Sequence, residues 1–86
     1  MVFVLARPGG AAPYDDKVAS AFSALEAGKF QEAFAAAGQA IQVDPNRYEG
    51  HFVGGLALYK LETLGIAVTY FQKALGLAPD DQKAKV

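Results

Sequence analysis

The chain contains no cysteine. Disulfides, thiolate metal sites and cysteine nucleophiles are excluded at once. It has a single histidine, His51, with no cysteine or second histidine to share a metal ion. It also lacks a basic stretch: eight Lys and Arg are scattered along the sequence and the formal net charge is −1. No broad field therefore draws it toward nucleic acid or anionic lipid. Long apolar runs are missing too. Residues 1–6 are apolar, but they are too few to span a bilayer and carry no basic flank of a secretory signal. These absences lead us to expect a soluble, cytoplasmic chain that binds no nucleic acid and enters no membrane.

What is present is a globular composition, with 52% apolar and 20% charged residues in a chain of 86. That balance argues against disorder. A domain of this length buries only roughly 60–65% of the surface its unfolded chain exposes. Its core is expected to be thin.

Residues 1–13 differ from the rest, because Pro8, Gly9, Gly10 and Pro13 interrupt any regular structure. They read as a flexible or extended arm, either a disordered terminus or a segment lying on an apolar groove. From about Tyr14 the pattern turns helical, with apolar residues recurring at three and four. Val18, Ala21, Phe22 and Leu25 mark one face of a first helix, which Gly28 stops. Phe30, Ala33, Phe34, Ala37, Ala40 and Ile41 mark a second, ending near Val43. Asp44-Pro45-Asn46 reads as a turn, since Pro45 disfavours helix at Asp44. Asn46 and Glu49 have the spacing of a capping box opening a third helix, which carries Phe52, Leu56, Leu58 and Tyr59. Thr63 is placed to cap a fourth, with Ile66, Ala67, Tyr70, Phe71, Ala74 and Leu75 on its faces. Residues 82–86 read as a capping helix cut short.

The second and fourth helices match under a shift of 34: Ala33 with Ala67, Ala40 with Ala74, Pro45 with Pro79. The first and third follow the same shift: Val18 with Phe52, Phe22 with Leu56, Leu25 with Tyr59. A fixed period of this size means stacked supersecondary units, because one hairpin cannot bury its own apolar face and the next copy covers it. Ala33 and Ala67 are expected where the helices of a hairpin touch, and Ala40 and Ala74 where a hairpin meets its neighbour. With two units only, the outer face of the second, including Leu58, Tyr70 and Phe71, is expected to need a cover.

The segments GKFQEAFAAAGQAIQVDPN and LGIAVTYFQKALGLAPDD each resemble the second half of a tetratricopeptide repeat. The resemblance covers residues 14–81 and implies an all-α fold of two helix-turn-helix units, 14–47 and 48–81. The chain departs from the family pattern in places. Lys17 and His51 stand where a large aromatic is usual, and Ser20-Ala21 and Gly54-Gly55 where Leu-Gly is usual. Glu62 replaces the turn glycine that Gly28 supplies in the first unit. Glycines inside a helix cost on the order of 1 kcal/mol each against alanine, so Gly54-Gly55 points to close backbone packing.

Candidates for chemistry are few. His51 falls at a packing position of the resemblance. Asp15-Asp16 and Asp80-Asp81 lie at expected helix starts, where negative charge suits the helix dipole. Pro8-Gly9-Gly10 lacks the spacing and lysine of a phosphate loop, and Ser20 and Ser23 have no nearby base. No catalytic residue, metal site or cofactor is expected, and the chain does not read as an enzyme.

The resemblance implies that the first helix of each unit lines a concave groove. That groove takes Val18, Phe22 and Leu25 from the first unit, and Glu49, Phe52, Leu56 and Tyr59 from the second. Asp15, Glu26 and Lys60 stand at its rim. Family members that clamp a C-terminal carboxylate use Lys, Asn and Arg where this chain has Val18, Phe22 and Val53, so that ligand is disfavoured. An apolar groove suits the hydrophobic face of a helix or an extended apolar segment. The leading expectation is a protein–protein interaction module. The alternative is a self-assembling structural protein, a homodimer or larger, whose copies cover one another's apolar faces.

Overall fold

A computed structural model describes residues 13–79. The expected N-terminal arm, the acids Asp80 and Asp81 and the short C-terminal helix lie outside the described residues, apart from Pro13. The fold is all-α, with four helices among the described residues: α1 Pro13–Glu26, α2 Phe30–Val43, α3 Tyr48–Lys60 and α4 Leu64–Leu77. α1 packs on α2 and α3 on α4, making two helical hairpins; α2 packs on α3 to join them, and α1 also touches α3. The period of 34 holds to the residue for the second helices, since Phe30–Val43 plus 34 gives Leu64–Leu77, and to within one residue for the first. Among the described residues, no helix is long and apolar enough to cross a membrane.

Pro13 was expected in the arm, but it is the first residue of α1. A proline suits that position, because its fixed φ is helical and its missing N–H would have had no partner there. Asp15 and Asp16 follow in the first turn, where their charge favours the helix.

Both hairpins turn in the same way. Gly28 and Glu62, 34 residues apart, are the two left-handed positions among the described residues, with φ of 79° and 63°. In the first turn Lys29 N donates to Ala24 O at 2.8 Å and Gly28 N to Leu25 O at 3.1 Å. In the second Thr63 N donates to Leu58 O at 2.9 Å and Glu62 N to Tyr59 O at 3.0 Å. These paired bonds satisfy the last carbonyls of the first helix of each hairpin. Glycine reaches this conformation without strain, whereas Glu62 holds it against the steric cost that its Cβ imposes.

Two expected caps are corrected. α3 starts one residue later than the capping box requires, with Arg47 at the N-cap and no side-chain cap bond. The Asp44 carboxylate accepts from Asn46 N at 3.1 Å, which holds Asn46 in the preceding turn. Thr63 does occupy the N-cap of α4, but its side chain makes no cap bond.

The core is built from small residues. Ala21, Ala37 and Val53 form its fully buried centre, with Phe22, Leu25 and Ala36 packed around them. Ala33, Ala40, Ala57, Ala67 and Ala74 are buried as well. Alanine on facing helices lets their axes approach toward the short end of the usual range. Ala40 meets the second hairpin as expected: a Cβ added to Gly50 would lie 3.5 Å from the Ala40 Cβ. Gly54-Gly55 is also a site of close approach. A Cβ at Gly54 would sit 3.1 Å from the Tyr70 ring, and one at Gly55 only 2.7 Å from the Phe71 ring. Leu58 was expected on the open outer face but is buried. α3 has neighbours on two flanks, so apolar positions on both sides of it are covered.

Candidate functional site

The first helices of the two hairpins contact each other, and each carries an apolar triplet at i, i+4 and i+7. On α1 these are Val18, Phe22 and Leu25; on α3 they are Phe52, Leu56 and Tyr59. That spacing keeps each triplet on one helix face. Val18, Phe22, Leu25, Phe52 and Leu56 are half-buried, while Tyr59 is 56% exposed. Phe22 and Leu25 lean on the Ala21–Ala37–Val53 centre, so part of the α1 triplet belongs to the core. Phe52 pairs with Phe71 of α4, with centroids 6.1 Å apart and planes inclined by 54°.

Glu49 sits at one end of this face and is held in a polar clasp. The Tyr14 hydroxyl donates to Glu49 Oε1 at 3.2 Å and accepts from Gly50 N at 2.8 Å. The Arg47 guanidinium lies 4.4 Å from the centre of the Tyr14 ring. It also pairs with Asp15 at 3.5 Å and with Glu49 at 3.7 Å. Gly50 N is one of the first amides of α3, which have no partner within the helix. Tyr14 therefore caps α3 from the other hairpin, in place of the absent side-chain cap. Its hydroxyl is buried, and desolvation foremost pushes its pKa up to about 12, with the Glu49 charge adding to the rise.

The clasp was not anticipated. Tyr14 marked only the start of the helical pattern, and its partners lie 35 and 36 residues away. The one available signal was the tyrosine at the same place in each unit, Tyr14 and Tyr48.

His51 is a packing residue. It is buried, its Nε2–H donates to the Pro45 carbonyl at 2.9 Å, and its ring lies 6.4 Å from that of Tyr70. The bond ties the turn between the hairpins to α3. Among the described residues, no group of three or more His, Asp or Glu side chains is placed to hold a metal ion.

Besides one at the Gly28–Lys29 turn, two depressions away from the triplets stand out among the described residues. One, of about 310 Å³, is apolar and lined by Ile41, His51, Thr69, Tyr70 and Lys73. The other, of about 570 Å³, is shallow and runs along the outer side of α1 over Ala19, Ser20, Ser23, Ala24 and Ala27 to Lys29 and Glu32. Compared with family models, with curated proteins and with solved structures, the chain matches none.

Proposed function

We propose that this chain is an interaction module of the tetratricopeptide type, whose first helices receive an apolar peptide or the apolar face of a partner helix. The observation that carries the reading is the pair of equivalent triplets on two touching helices, ending in the exposed ring of Tyr59. A tyrosine exposed beside half-buried aliphatic and aromatic side chains offers an apolar body with a polar tip, which suits a protein contact. The 34-residue shift that carries α2 onto α4 and the repeated left-handed turn fit a pair of equivalent helical hairpins. Glu49 is assigned to the clasp, and the contact surface to Val18, Phe22, Leu25, Phe52, Leu56 and Tyr59. The chemistry proposed is recognition without catalysis.

The test is selection from a displayed library of amphipathic helical peptides, followed by titration of the enriched sequences by fluorescence anisotropy. Tyr59→Ala and Leu56→Glu are expected to weaken binding at least tenfold while circular dichroism stays helical; tenfold corresponds to about 1.4 kcal/mol. Peptides that bind wild type and both variants equally would refute the assignment. A second reading, self-assembly, is favoured by a separate observation. α4 exposes Leu64, Val68 and Leu75 at 54%, 51% and 45%.

A further inference from the structure

We propose that copies of this chain associate head to tail, with the exposed stripe on α4 of one copy seated in the small-residue depression on the outer side of α1 of the next. This rests on the self-assembly reading and gives it a surface at each end.

The chain contains its own template for the contact. Shifted by 34, the α2 residues Phe30, Phe34, Ala37 and Ile41 become Leu64, Val68, Phe71 and Leu75 on α4. On α2 this stripe is covered by the second hairpin. The Phe34 ring meets the edge of Tyr70 at 5.7 Å. A Cβ on Gly54 would lie 3.4 Å from the Ala37 Cβ, and one on Gly50 would lie 3.1 Å from Ile41 Cγ1. On α4 the same stripe is open at Leu64, Val68 and Leu75. Phe71, in the place of Ala37, does not block it, because its ring folds back over Gly55 of its own hairpin.

The cover on α2 is thus mainly the first helix of a hairpin, approached along small residues, with Tyr70 of the second helix added over Phe34. Among the described residues α1 is the other first helix, and no helix there covers its corresponding side. Ser20 stands where Gly54 does under the shift, and around it Ala19, Ser23 and Ala27 are exposed. With Ala24 they make up the small-residue part of the 570 Å³ depression, whose lining is completed by the charged Asp16, Lys29 and Glu32. Apolar knobs at one end and a small-residue trough at the other continue the α2–α3 interface from copy to copy. Such a contact is heterologous, so it grows into an open filament or closes into a ring.

Sedimentation equilibrium from micromolar to millimolar concentration tests this with wild type, Leu75→Glu and Ser20→Arg. Both substitutions lie on exposed surface, and circular dichroism checks that each variant folds. Wild type is expected to gain mass beyond a dimer as concentration rises. Each variant alone is expected to stay monomeric, its association weakened by roughly 30-fold or more. Their equimolar mixture is expected to give a dimer and nothing larger, since one intact stripe and one intact trough remain. A monomeric wild type overturns the proposal together with the self-assembly reading. An assembling wild type with Ser20→Arg still dimeric indicates α4-to-α4 pairing, and continued assembly of both variants indicates another surface. Either result overturns the head-to-tail contact and leaves self-assembly standing.

Discussion

The two hairpins share turn geometry and, to within one residue, helix bounds, yet their first helices are buried very differently. α1 buries Tyr14 and Ala21, whereas α3 buries Gly50, His51, Val53, Gly54, Gly55, Ala57 and Leu58. α3 lies between α2 and α4, and among the described residues no helix covers the outer side of α1. Composition follows position: where α3 has Gly54, Ala57 and Leu58, α1 has Ser20, Ser23 and Ala24. The second helices show the reverse, for the stripe covered on α2 is open on α4. A repeat unit in this fold is therefore defined by what lies on each side of it as much as by its own residues.

The strongest way to break the comparison is to put a residue of the second hairpin into the first. Ala37→Phe places the ring of Phe71 where α3 closes over a fully buried alanine. Overpacking there is expected to cost about 3 kcal/mol, read as a lower midpoint in urea denaturation. A loss under about 1 kcal/mol would mean that the two hairpins can separate at little cost.

Removing the link between hairpins is expected to cost less. Tyr14→Phe leaves Gly50 N without its acceptor and should destabilise by about 1–2 kcal/mol. It also has a pH signature. The Tyr14 pKa is raised in the fold from 10.0 to about 12, so the folded state holds the proton more tightly than the unfolded chain. The stabilisation is complete below pH 10 and is lost as pH rises toward 12. Wild type minus Tyr14→Phe stability, measured by urea titration across that range, should shrink as pH increases. A constant difference would show that the hydroxyl is not held as described.

The smallest effects come from exchanging the turn residues. Glu62→Gly relieves the left-handed strain and is expected to stabilise by about 0.5–1 kcal/mol. Gly28→Ala introduces that strain and should destabilise by about 1 kcal/mol. Opposite shifts in thermal midpoint from the two variants would bear out the shared turn geometry. Shifts of the same sign would contradict it.

Much of the fold was legible because its information is local and periodic. The 3.6 pattern placed the four helices, and the shift of 34 placed the hairpins. Gly54-Gly55 announced a close approach because nothing else explains two glycines inside a helix. What stayed hidden depended on partners distant in sequence. The box formed by Asn46 and Glu49 had the right spacing, but Asp44 took the Asn46 amide and Tyr14 took the Glu49 carboxylate. Leu58 looked like an outer residue because periodicity gives a helix its faces without saying how many are covered. For the contact face, the triplets were legible as triplets. That Phe22 and its neighbours belong partly to the core was legible as an alternative, and Phe22 and Leu25 do pack on Ala21, Ala37 and Val53.

The Tyr14 clasp also bears on how the molecule opens. In a stack whose helices mostly touch their neighbours, each hairpin is an independent unit of melting unless the junction between them is strong. That junction here sets alanine against glycine along α2 and α3, beside the Phe34–Tyr70 ring pair. The buried hydroxyl spans it, joining the first turn of α1 to the first turn of α3. By making loss of α1 leave an amide of α3 unpaired, it couples the two hairpins into one cooperative unit, so fraying that begins at the N-terminal helix is felt at the centre of the chain.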